Sequence, residues 1–181
     1  MDDRRWAALG ATTAVTGGAA WALVPTLDTA LPGLLDFAWI PALVLLGAVA
    51  GLPSALPALT ESPGRTGLGL VGGGLAFVAL GAGVRLWALT LSPPQLGVAI
   101  GFGLAGIGLL VAALGSAVVG VVLWRSDGVP GPVAAVFAVS LPLDPLLNAA
   151  ITPPLGVGVS VYGVAWVALG IAVVRSVARN G

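Results

Sequence analysis

Apolar residues run along this chain in six blocks, each close to the length of a membrane crossing and each bounded by charge, proline or glycine. A helix needs about 20 predominantly apolar residues to span a bilayer. The blocks cover roughly 6–25, 37–59, 67–91, 97–124, 130–149 and 155–178. Turn chemistry divides them: Thr60-Glu61-Ser62-Pro63-Gly64-Arg65-Thr66, then Ser92-Pro93-Pro94-Gln95, then Arg125-Ser126-Asp127-Gly128-Val129. Proline fixes φ and ends helices, and glycine supplies positive φ. The pattern predicts an all-α integral membrane protein of six transmembrane helices in a single domain over 1–181. No connection is long enough for a soluble catalytic or binding domain. Arg4 and Arg5 ahead of an apolar run, with Gly18-Ala19-Ala20 behind it, also resemble a secretory leader. The run is expected to stay in place as the first span.

The second half echoes the first. At an offset of 89 residues, Gly74-Leu75-Ala76-Phe77-Val78-Ala79-Leu80-Gly81 aligns with Gly163-Val164-Ala165-Trp166-Val167-Ala168-Leu169-Gly170, with six of eight positions identical. Pro41 then meets Pro130, and Leu52-Pro53 meets Leu141-Pro142. Repeats over 1–92 and 93–181 would each hold three spans. An odd number per copy forces opposite orientations in the membrane, the inverted-repeat plan. The second and fifth spans are then symmetry mates, each expected to break, at Pro53 and Pro57 in one and at Pro142 and Pro145 in the other. A break frees backbone carbonyls that lipid cannot satisfy, so paired breaks point to a cavity.

Arginine placement sets the expected orientation. With both termini cytoplasmic, Arg4, Arg5, Arg65, Arg125, Arg175 and Arg179 fall inside and only Arg85 falls outside. Asp28, Asp36 and Asp144 then lie toward the outer face. Trp6 and Trp124 are expected at the inner interface, and Trp21, Trp39 and Trp87 at the outer one.

Composition narrows the chemistry. Hydrophobic residues make up 58% of the 181 and charged ones only 8%, with seven basic residues against seven acids. That balance leaves no footprint for nucleic acid. The chain has no His and no Cys, and every basic residue is Arg. Imidazole or thiolate metal sites, Ser-His and Cys-His nucleophiles, Schiff-base lysines and disulfides are excluded. No cofactor, no metal and no enzymatic activity are expected. The stretch Gly101-Phe102-Gly103-Leu104-Ala105-Gly106 matches the dinucleotide fingerprint in letters only, since no strand precedes it.

Few polar groups remain inside the spans. A charge there is costly unless paired, so Arg85 is expected to pair with Asp144 or Asp36. Asn148 and Thr152, spaced by four from Asp144, would share its helical face. Arg85, Asp144, Asn148 and Asp36 form the candidate polar cluster, with Ser140 and Tyr162 as additional hydrogen-bonding groups. Gly69-x-x-x-Gly73 and Gly97-x-x-x-Gly101 are candidate helix-packing sites, because small residues let backbones approach in lipid.

Inverted halves and broken helices point to a small transporter- or channel-like bundle, its solute held by backbone carbonyls and hydroxyls such as those of Thr12, Thr13 and Ser116. Ala7-x-x-x-Ala11 resembles, over that one spacing, the small-residue docking surface of substrate-binding subunits in energy-coupling vitamin importers. The alternative is a structural or accessory subunit that packs against partner helices, or a second copy of itself, and against lipid or pigment. Its expected place is the cell membrane, as a multi-pass protein.

Overall fold

The computed structural model describes the backbone of residues 3–30, 38–91, 93–155 and 160–179, and their side chains except those of 28–30, 148, 151–155 and 179. Six helices follow one another: α1 (Asp3–Ala30), α2 (Trp39–Gly51), α3 (Ser62–Ala88), α4 (Gln95–Trp124), α5 (Gly131–Leu155) and α6 (Val161–Arg179). Among the described residues there is no strand. α1, α3, α4 and α6 contain stretches long and apolar enough to cross a membrane. The apolar helical stretches at α2 and α5, Trp39–Ser54 and Gly131–Leu147, are shorter.

The helix ends follow local chemistry. Glu61 precedes α3 in an extended conformation, and Pro63 sits in the first turn, where its missing N–H leaves no ladder bond unmade. Pro53 ends α2 as expected. The chain leaves that helix through two 3-10 turns, Leu52–Ser54 and Pro57–Leu59, held by Ala55 N–H donating to the Leu52 carbonyl (3.0 Å) and Thr60 N–H to Pro57 (2.8 Å). The mate of this break is absent. α5 runs on through Pro142 and Pro145 to Leu155, so these prolines do not break it. Both are exposed, and each removes a single ladder bond, which bends a helix more readily than it stops one. α1 likewise continues through Pro25. Trp21 sits inside the bundle, 9% exposed.

Each helix packs against its sequence neighbours, and α6 closes on α1, giving a ring of six. The tightest junction joins α3 to α4. Gly67, Gly74 and Gly81 recur every seven residues on α3, as do Gly101, Gly108 and Gly115 on α4, and the two sets meet antiparallel. A methyl carbon placed on Gly74 would lie 2.5 Å from the Gly108 carbonyl oxygen, one on Gly108 2.5 Å from that of Gly74, and one on Gly81 2.5 Å from that of Gly101. Each glycine thus turns an α-hydrogen toward a carbonyl of the facing helix, the geometry of weak Cα–H···O contacts. The α1–α6 junction repeats it: Gly163 aims at the Gly18 carbonyl (2.5 Å) and Gly18 at that of Gly163 (2.7 Å). α1 meets α2 through Gly10 and Gly51.

These glycines differ from the expected ones. Around Gly69 and Gly73 a methyl carbon would meet nothing within 4 Å; the packing face of α3 is offset from them by two residues at Gly67 and by one at Gly74. Gly101 does lie in the junction, and Gly97 faces Ala88. Ala7 and Ala11 are 2% and 1% exposed, with Ala11 against Gly170 of α6. The face compared with a docking surface is therefore already occupied within the chain.

The helix junctions are lined by small residues, and many large apolar side chains point outward. Leu80, Leu110 and Leu114 are 55%, 69% and 64% exposed, the reverse of a water-soluble core and what lipid-facing helices need. Gly74→Ala should destabilise the fold by about 1–3 kcal/mol through overpacking. Gly73→Ala should be neutral or stabilise by up to about 1 kcal/mol through helix propensity. Thermal unfolding of the detergent-solubilised variants checks this, and equal effects at the two positions would sink it.

Candidate functional site

Asp144 is the best-defined polar group. It projects from α5 onto the start of α6, where its Oδ1 accepts the Val161 N–H and its Oδ2 accepts the Ser160 hydroxyl, both at 2.6 Å. Ser160 ties a third helix into the same point, because its N–H donates to the Ala22 carbonyl of α1 at 3.1 Å. Its Oγ also accepts the Gly163 N–H at 3.3 Å, the side-chain cap of an α-helix. A carboxylate at a helix N-terminus meets otherwise unpaired N–H groups and the positive end of the macrodipole. Asp144 is thus held as a structural acceptor joining α5, α6 and α1.

Arg85 lies toward the same end of the bundle with its guanidinium 3.7 Å from the centre of the Phe102 ring, a cation–π contact between α3 and α4. Asp36 falls outside the described residues, as do the side chains of Asn148 and Thr152. Of the expected cluster, the structure describes the side chains of Arg85 and Asp144, and the expected pairing of Arg85 with Asp36 falls outside the described residues.

Beneath Asp144 an aromatic cluster fills the junction of α1, α5 and α6. Tyr162 is edge-on to Trp21 (centroids 5.9 Å apart) and to Trp166 (6.0 Å), and Phe137 is edge-on to Trp166 (4.9 Å). The Tyr162 hydroxyl meets α4 by accepting from Ser116 at 3.4 Å. Tyr162, Trp166 and Ser116 are fully buried, and the Trp166 indole nitrogen has no hydrogen-bond partner among the described residues. Edge-to-face pairs of this kind add about 0.5–1.5 kcal/mol each beyond burial. Other hydroxyls are consumed locally. Thr13 donates to the Leu9 carbonyl (2.8 Å) and Ser140 to that of Phe137 (3.1 Å).

The ring centre is filled. Leu45, Leu75, Val119, Phe137, Tyr162 and Trp166 are each less than 2% exposed. Two grooves open at the arginine-rich end among the described residues. One groove of about 580 Å³ runs between the residues after α2 and α4, with Glu61 and Arg125 in its lining. Another of about 860 Å³ separates the α4–α5 turn from α6.

Sequence reasoning had missed Ser160 and Trp166. The first was detectable: a serine directly ahead of an apolar helical run is a capping signal. The burial of Trp166 depends on α5 and α1, which supply Phe137 and Gly18 against it, and leaves no local trace. Asp144→Ala should cost about 1–3 kcal/mol by stranding the Val161 N–H and the Ser160 hydroxyl, and Tyr162→Phe less than about 1 kcal/mol given its long hydrogen bond. Thermal unfolding reads both, and a larger loss for Tyr162→Phe would contradict the assignment. No protein-family model, curated protein or solved structure matches this chain.

Proposed function

We propose that the chain is a six-span multi-pass protein of the cell membrane, with both termini cytoplasmic, acting as a non-catalytic structural or accessory subunit. The observation that carries this reading is the filled ring: large buried side chains occupy its centre, glycines lock its α3–α4 and α1–α6 junctions, and the open volumes described above lie at one end. A rigid bundle with an apolar exterior suits a component that packs against lipid and partner helices. α2 and α5 complete six crossings in this reading. Their apolar stretches reach only about 24–26 Å at 1.5 Å per residue, a shortfall the bilayer accommodates by local thinning.

A second reading, a carrier or channel for a small solute, has one specific support. The Gly74–Gly108 contact between α3 and α4 is matched by the Gly163–Gly18 contact between α6 and α1, as inverted three-helix repeats require. Only α2 of the two proline-bearing mates breaks, which weakens the paired-cavity argument from sequence.

Topology is directly testable because the chain carries no native cysteine. A membrane-impermeant maleimide applied to intact cells should label Thr90→Cys and spare Ser62→Cys until the cells are opened; the reverse pattern overturns the orientation. For function, gentle extraction should recover the protein in a fixed-ratio complex. A solitary monomer that drives solute uptake in proteoliposomes would replace this reading with the second.

A further inference from the structure

The groove of about 860 Å³ between the α4–α5 turn and α6 changes character along its length. Arg175, Ser176 and Asp127 line it at the helix ends, and Ala168, Ile171 and Val133 line it farther in. From Ser176 back to Ala168 the helix rises about 12 Å, so polar and apolar walls succeed one another along the membrane normal. Trp124 closes one side. It is 58% exposed, and its ring rests on the first turn of α5, where a methyl carbon on Gly131 would lie 3.6–3.8 Å from it. A half-exposed indole beside an arginine is the side-chain pair found at the headgroup level of a bilayer.

We propose that this groove seats one anionic phospholipid with a hydroxyl-bearing headgroup, its phosphodiester at Arg175 and an acyl chain along Ala168, Ile171 and Val133. The inference rests on the bilayer placement proposed above. The gradient has the same sense as a lipid of that leaflet, head at the helix ends and chain toward the midplane. Guanidinium presents paired donors to phosphate oxygens. Asp127, exposed at the lip, accepts from headgroup hydroxyls and disfavours a headgroup that ends in bare phosphate. The charge of this end is also right: Arg4, Arg5, Arg65, Arg125 and Arg175 outnumber Asp3, Glu61 and Asp127.

Native mass spectrometry of the full chain released from bilayers of equal phosphatidylglycerol and phosphatidylcholine tests the site. Phosphatidylglycerol should be retained preferentially, and Arg175→Gln should weaken retention about fivefold. Arg65→Gln, at the same end but outside the groove, should leave it unchanged. Ile171→Trp, which fills the apolar wall, should lose the lipid with every arginine intact and with the thermal unfolding of the unsubstituted chain, which separates loss of the site from loss of the fold. Equal retention of the two lipids, or equal losses for Arg65→Gln and Arg175→Gln, overturns the proposal. So does glycerol phosphate competing as well as intact lipid, which would mark an ion site. A chain that keeps neither lipid yet labels as expected in the cysteine experiment refutes this site alone and leaves the bilayer placement standing.

Discussion

The close approach of helix backbones is the constraint on which the rest of this structure depends. Apolar surface gains nothing by leaving lipid for protein, so helices in a bilayer associate through van der Waals packing and weak polar contacts, both of which fall off steeply with distance. Glycines at seven-residue intervals on α3 and α4 remove the side chains that would hold the axes apart, and carbonyl oxygens take their place as contact points. A period of seven keeps one face toward an antiparallel partner along the whole helix. With these faces fixed, bulky residues of α3 and α4 that lie off the glycine stripe face outward, as Leu80, Leu110 and Leu114 do.

Where glycine is absent from the junctions, aromatic rings take over. Phe137, Tyr162 and Trp166 fill the space that α5 and α6 leave between them, and Trp21 is drawn in from α1. The polar groups of this region serve the fold. Asp144 satisfies backbone and hydroxyl donors that lipid could not, and Ser160 passes the connection on to α1.

The helices themselves were legible because hydropathy and helix-stopping residues act locally. Six segments were readable, and the ends of α3 and α4 fell within a few residues of Pro63 and Trp124. The glycine faces were misplaced at Gly69 and Gly73 because composition and spacing show that small residues are present without saying which side of a helix meets a neighbour. The seven-residue spacing of Gly67, Gly74 and Gly81 was in the sequence, yet only its partner series on α4 gives it meaning. Proline misled for a related reason. Its covalent geometry is the same at Pro53 and Pro142, but α2 stops near the first and α5 continues past the second, since tertiary surroundings decide between a stop and a bend. The donors that Asp144 accepts from, Ser160 and the Val161 N–H, were not foreseen because opposite charge was weighted above the donor groups of a helix terminus.

The junction of α1 with α6 joins the two ends of the chain. Gly18 and Gly163 stand 145 positions apart, so at translation rates of about 5–20 residues per second the first helix waits roughly 7–30 s for its partner to be made. Over that interval its glycine face is open to any other small-residue helix in the same membrane. The α3–α4 hairpin and the α1–α2 contact can therefore be complete while the α6-facing side of α1 still lacks its partner. Ring closure, the last contact to form, would be the step most sensitive to premature release from the insertion machinery.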